Sequence, residues 1–384
     1  MQSDFWRLFF DGACAIEFLI SMKHVYIISY VAINDQLSLV AALRPYKFAS
    51  FLLQKEAPVT IIVPRVGDGT EHVVTEGFFI SRFKFFLKIF PPDFTFFWSI
   101  GIFLNMRNKW KQAPFSLFTT CPPYGLGFLG LLLKWAGYKF TWICDFRDLW
   151  LGNPLYRPPF TKRFFNPWFE KMFYQKCDIM TFNTLWDMEY NCARYPFLRA
   201  KSIFVRNGFD TVTPNTCRDD FRFVYAGGTT KGEASPRVIN LLEILNAHGI
   251  PATCDFYGEF DQFLNKNSYT RYCGVVASEK IPELLSKYKF GFIYLPGGCE
   301  TGGRVAQKFY DYMGAGVIPV VINPSLEMVM MMKELKTGVT MFNNTSTESL
   351  IDQIKGATFA ARPEELEKLR RTFQFEKLYS VMMN

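Results

Sequence analysis

Apolar positions recur along this chain in two alternating rhythms. HVYIISYVA (24–32), VTIIVPR (59–65), SLFTT (116–120), KFTWICDF (139–146) and DIMTFN (178–183) are short, mostly apolar runs. Between them, LSLVAALRPYKFASFLLQ (37–54) and YGLGFLGLLLKWAG (124–137) space their apolar residues three and four apart. The short runs predict buried strands and the longer segments helices. Such alternation predicts parallel sheets with helices on both faces.

The pattern restarts after KSIFVRNGFD (201–210) and the polar stretch TVTPNTCRDD (211–220). FRFVYAGG (221–228), CDFYG (254–258), FGFIYLP (290–296) and VIPVVIN (317–323) read as strands. SPRVINLLEILNAHG (235–249), IPELLSKY (281–288) and GGRVAQKFYDYMG (302–314) read as the intervening helices. The expected fold is α/β: two doubly wound Rossmann-like domains facing a central cleft, where open α/β sheets bind ligands. The first domain is expected over 22–205 and the second over 206–360. The tail, 361–384, reads as an amphipathic helix able to cross back to the first domain. Residues 1–21 read as an extension ahead of the first strand.

Composition narrows this picture. A length of 384 residues suits two domains, at roughly 100–200 residues each. The net charge of +8 favours anionic partners. Nine cysteines, an odd number with no CxxC pair, predict reduced thiols and a cytoplasmic protein. His24, His72 and His248 are far apart in sequence, which argues against a structural zinc site. No uninterrupted apolar run approaches the length of a membrane-spanning helix.

Two loops carry candidate chemistry. The strand FGFIYLP runs into GGCETGG (297–303). A helix opening at Gly302-Gly303 would present free N–H groups and a positive dipole end to a phosphate, with Arg304 in its first turn. Lys308 and Asp311 are three apart and share a face. A carboxylate beside an anion site suits a pair of sugar hydroxyls. The alternative is a surface ion pair between the two. The second loop, YAGGTTKG (225–232), offers Gly227, Gly228 and Lys231 to an anion. Its spacing is neither a Walker loop nor GxGxxG.

VRNGFD, YAGGTTKG and KFYDYMGAG follow one another in the second half. ALRPYKFASFLLQKEAPVTIIVPR, PPDFTFFW, FTTCPPYGLGFLGLLLKWAGYKFTWICDFRDLW and NTLWDMEY do so in the first. Over about residues 22–375 this order resembles glycosyltransferase family 4, retaining GT-B enzymes that use nucleotide sugars. The resemblance implies that Lys231 contacts the donor diphosphate and Asp311 the ribose. Gly302 and Gly303 would offer backbone N–H groups. Asn207, Gly227, Gly228, Glu300, Arg304 and Lys308 complete the donor-side candidates. Asn34, Asp35, Asp145, Arg147 and Asp148 are the acceptor-side candidates. Asp145, Asp148 and Lys231 are the catalytic ones. Arg147 and Asp148 could instead pair and cap the next segment.

The sequence departs from the family pattern in three places. Asp311 replaces the second glutamate of the family's spaced pair, and Gly303 stands where the first would be. No arginine precedes Lys231 in its loop. VAINDQLS (31–38) lacks the usual glycines. No DxD motif occurs. The resemblance therefore implies retaining transfer with a nucleotide-diphosphate sugar as co-substrate, without metal or other cofactor.

FFISRFKFFLKIFPPDFTFFW (78–98), RNKWK (107–111) and RPPFTKRFFNPWFEKMFYQK (157–176) interleave cations with aromatics. This suits an anionic membrane surface at the inner leaflet and a glycan or lipid-linked acceptor. It also suits nucleic acid, or a core whose cations snorkel outward. A catalytically degenerate GT-B module binding nucleotide or membrane is the non-enzyme alternative.

Overall fold

The computed structural model describes residues 23–30, 40–63, 73–74, 92–217, 221–227, 234–258 and 268–383. Asn34, Asp35, Gly228, Lys231, the 1–21 extension and residues 78–91 lie outside them.

The first sheet contains β1 (His24–Ile28), β2 (Val59–Val63), β3 (Val73–Val74), β4 (Phe115–Cys121), β5 (Phe140–Phe146), β6 (Ile179–Phe182) and β7 (Ser202–Phe204). Its order is β3-β2-β1-β4-β5-β6-β7, with every pairing parallel. The second contains β8 (Arg222–Ala226), β9 (Thr253–Tyr257), β10 (Thr270–Tyr272), β11 (Phe290–Tyr294), β12 (Ile318–Ile322) and β13 (Val339–Met341). Its order is β10-β9-β8-β11-β12-β13, again all parallel. Strands buried on both faces need continuous apolar runs. All seven residues of β4 and all five of β12 are buried.

Helices α1 (Val40–Gln54), α2 (Thr95–Met106), α3 (Gly127–Trp135), α4 (Phe160–Lys176) and α5 (Leu185–Arg194) belong to the first half. In the second half are α6 (Ala234–Ala247), α7 (Ile281–Leu285), α8 (Gln307–Gly314), α9 (Leu326–Glu334) and α10 (Thr347–Gly356). Two glycines allow close helix–sheet approach. A Cβ on Gly130 would lie 2.2 Å from the Trp142 ring, and one on Gly291 2.5 Å from Tyr312.

The tail forms two helices rather than one, α11 (Pro363–Leu369) and α12 (Arg371–Met383). Between them Arg370 is extended, with φ −64° and ψ 139°. There the chain pairs with the other interdomain crossing: the Arg371 N–H donates to the Phe209 carbonyl at 2.8 Å, and the Phe209 N–H to Leu369 at 3.3 Å. Helix α12 then packs on the first half. Phe375 lies 5.1 Å from Phe48 and 5.7 Å from Phe51, ring to ring, and Lys55 pairs with Glu376.

Candidate active-site cleft

The GG-helix element differs from expectation. Helix α8 begins at Gln307, with Ala306 extended before it. Arg304 therefore lies before the helix, not in its first turn. Gly302 has a left-handed φ of 62°, a conformation costly for side-chain-bearing residues. Gly302 and Gly303 are buried against the first half. A Cβ on Gly302 would meet the Trp186 ring at 2.4 Å, and one on Gly303 would meet Thr184 Oγ1 at 2.3 Å. These glycines serve the domain contact and line neither cavity described below. The helix N-terminus itself, through Val305, Ala306 and Gln307, does line one.

Lys308 and Asp311 do not form the ion pair that their spacing allows. Lys308 Nζ lies 3.7 Å from the Tyr225 ring centroid, a cation–π contact at the end of β8. It also lies beside Gly227, whose φ is 110°. Loss of water pulls its pKa down to about 7, only partly offset by Asp311. Asp311 instead accepts from Gln307 Nε2 at 3.0 Å, and the same nitrogen donates to the Gly208 carbonyl at 3.0 Å. Burial raises the Asp311 pKa to about 6. Loss of water thus moves both groups toward neutral pH, Lys308 downward and Asp311 upward.

Asp145 is corrected by the structure. It lies inside β5, fully buried. Arg44 Nη2 donates to Oδ1 at 2.8 Å, and Thr120 Oγ1 to Oδ2 at 2.9 Å. Thr181 Oγ1 donates to Oδ1 at 2.5 Å. Burial opposes its charge, but Arg44, Thr181 and Arg147 outweigh burial and hold the carboxyl below its usual range. Asp145 therefore positions Arg44, whose Nη1 reaches the Asn207 side chain at 3.3 Å. Arg147 and Asp148, just beyond the strand, do reach the cleft. The Arg147 guanidinium donates to the Pro122 carbonyl. Asp148 keeps an exposed flank, yet desolvation raises its carboxyl against the pull of Arg147 and Arg304.

Two adjoining cavities lie between the halves. One, about 280 Å³, is lined by Arg44, Arg147, Asp148, Asn183, Asn207 and Arg304, among others. The other, about 330 Å³, is lined by Lys47, Asp210, Glu279, Pro282 and Asp311, among others. Leu43, Gln307 and Arg371 line both. The first is thus rich in guanidinium groups and the second carries the ribose candidate Asp311. Glu300 is exposed on the short turn Gly298–Thr301 and lines neither.

The sequence reading missed Arg44, Arg371, Gln307 and Glu327. Arg44 had a visible signal: a cation within the apolar spacing of a helix. Arg371 had none, because its partners all lie on a distant crossing: the Asn207 and Gly208 carbonyls, at 2.9 and 3.0 Å, and the Asp210 carboxylate. Glu327 opens α9 and accepts from the Leu185 and Trp186 N–H groups at 3.2 and 2.9 Å. A carboxylate of one half thereby caps the first turn of α5 in the other.

No family model and no curated protein matches this sequence. Solved structures do match in shape. The chain is similar to sucrose-phosphate synthase from Thermosynechococcus elongatus, with TM-score 0.68 and 12% identity, over 94% of this chain and 99% of that one. It is similar to TarM from S. aureus, solved with UDP, with TM-score 0.64 and 8% identity over 94% and 100%. It is also similar to the lipopolysaccharide outer core galactosyltransferase WaaB, with TM-score 0.61 and 11% identity over 94% and 99%. Its two parallel sheets with flanking helices, facing one cleft, are the GT-B fold of such glycosyltransferases.

Proposed function

We propose that this chain is a retaining glycosyltransferase that moves a sugar from a nucleotide-diphosphate sugar to an acceptor hydroxyl without a metal ion. One observation carries the reading: Asp311 lines a cavity that shares Leu43, Gln307 and Arg371 with the one to which the first domain contributes Arg147 and Asp148, while desolvated Lys308, which lines neither, stands at the C-terminal end of β8. In this reading Asp311 accepts from the ribose hydroxyls. Lys308, Arg304 and Lys231 meet the diphosphate. Asp148 and Arg147 orient the acceptor, a glycan or lipid-linked glycan.

In transfer, the bond from the anomeric carbon to the leaving phosphate oxygen breaks. The acceptor oxygen bonds to the same face, and its proton passes to the departing diphosphate. The cations and the α8 N-terminus stabilise the charge that develops there. No side chain is required as base.

A thermal-shift panel of UDP, GDP, ADP and their sugar conjugates, with and without EDTA, tests this. A selective shift that survives EDTA is expected. No shift with any nucleotide would overturn the donor assignment. Nucleotide binding without sugar transfer to any glycan acceptor would instead favour a degenerate binding module.

A further inference from the structure

Two of the three basic-aromatic stretches, 107–111 and 157–176, lie wholly within the described residues. They differ sharply. In RNKWK, Trp110 is buried and stacks on Phe115. In α4 part of the aromatic set faces solvent, while Phe169, Phe173 and Tyr174 are buried. Phe160, Phe164 and Trp168 are 82%, 71% and 52% exposed. Spaced four apart, they form a stripe along one helix face. Phe165 is exposed beside it, and Trp135 and Phe97 expose apolar surface around the underlying Phe96–Phe128–Phe169 cluster.

The charge along this segment is one-sided, with Asp93 near Lys162 as the acid contributed from outside it. Arg157, Arg163, Lys171 and Lys176 are exposed. From Pro154 to Cys177 the only acidic residue is Glu170, and its side chain is buried and paired with Arg194. Leu155, at the entrance to α4, also exposed, lies against Gly297 of the second half. The segment leading into α4 thus reaches the line where the two halves meet.

We infer that the exposed face of α4 docks this protein on an anionic lipid bilayer, with Phe160, Phe164 and Trp168 entering the headgroup region and Arg163 and Lys171 pairing with lipid phosphates. Aromatics favour that interface, and cations without neighbouring acids are drawn to its negative potential. The inference rests on the proposed transfer reaction and deepens it by naming where the acceptor is met: beside a membrane.

Co-sedimentation with phosphatidylcholine vesicles, with and without phosphatidylglycerol, tests it. Binding only to the phosphatidylglycerol vesicles, released by high salt, is expected. The triple variant Phe160→Ser, Phe164→Ser, Trp168→Ser should lose at least about tenfold in binding. Arg163→Glu with Lys171→Glu should lose the preference for phosphatidylglycerol. Since all five side chains are accessible, circular dichroism and the nucleotide-induced thermal shift should be unchanged in both variants. Full binding by the triple variant would overturn the inference. So would failure of the unmodified protein to bind vesicles, whether it self-associates through these aromatics or binds nucleic acid instead. Loss of the nucleotide shift alone would count against the transfer reading and leave the docking face standing.

Discussion

Arg44 of α1 grips Asp145 of β5 with two guanidinium nitrogens, at 2.8 and 3.1 Å, in a site closed to water. Its third nitrogen reaches the Arg206 carbonyl at 3.2 Å and the Asn207 side chain at 3.3 Å. The pair thus joins a helix, a central strand and the first interdomain crossing.

Removing one member strands the other charge in the interior. Asp145→Asn should cost about 3–5 kcal/mol, measured by urea unfolding. Because its folded pKa is depressed, the stabilisation is present above the unfolded pKa and lost as pH falls through the folded value. Asp145→Asn should therefore flatten the acid limb of the stability profile. A loss of activity with unchanged stability would contradict the positioning role.

Asp311 and Lys308 set opposite pH limits on nucleoside-diphosphate affinity. The carboxylate must be ionised, which requires pH above about 6, and the ammonium must be charged, which requires pH below about 7. Affinity should peak in that window, and binding above it should take up a proton. Calorimetry in buffers of different ionisation enthalpy reads both. Affinity unchanged from pH 6 to pH 9 would remove Lys308 from the site.

Much of the fold was legible because burial writes itself into local pattern. The continuous apolar runs that became β4, β8, β11 and β12 needed no tertiary information. Of the candidate site, the sequence pattern could place only what is local, as in the shared helix turn of Lys308 and Asp311. Asp145 misled because Arg147 and Asp148, past the end of β5, do reach the cleft, whereas Asp145 lies inside the strand and is taken up by Arg44, Thr120 and Thr181. The helix start at Gly302-Gly303 misled for another reason. Those glycines are small because Trp186 and Thr184 of the other half press against them, a contact between residues more than a hundred positions apart.

That same contact holds a titrating group. Asp187 is buried beside Gly303, and desolvation, with Asp148 and Glu327 nearby, raises its pKa to about 7. Thr184 opposes the rise. The folded state therefore binds more protons than the unfolded state between the unfolded value and about 7, so this group's contribution falls as pH rises through that range. Asp187→Asn should remove the decline and stabilise the protein above pH 7. Unfolding at two pH values checks it, and an unaltered slope would refute it.

Glu327 should act as a latch between the halves. Glu327→Ala leaves the Leu185 and Trp186 N–H groups without their acceptor, at about 1–3 kcal/mol. Amide exchange at those two residues should accelerate, while exchange in the central strands should change less. Equal protection in both proteins would mean that the contact carries no interdomain coupling.

The most direct measurement is calorimetric titration of a nucleoside and its diphosphate, the base chosen from the thermal-shift panel, into the unmodified protein, Lys308→Ala and Asp311→Ala at pH 6.5. The account predicts that Lys308→Ala loses affinity for the diphosphate, by roughly tenfold or more, while nucleoside binding is spared. Asp311→Ala should weaken both ligands alike. Equal affinities across all three proteins would contradict a nucleotide site at the end of β8 and the start of α8.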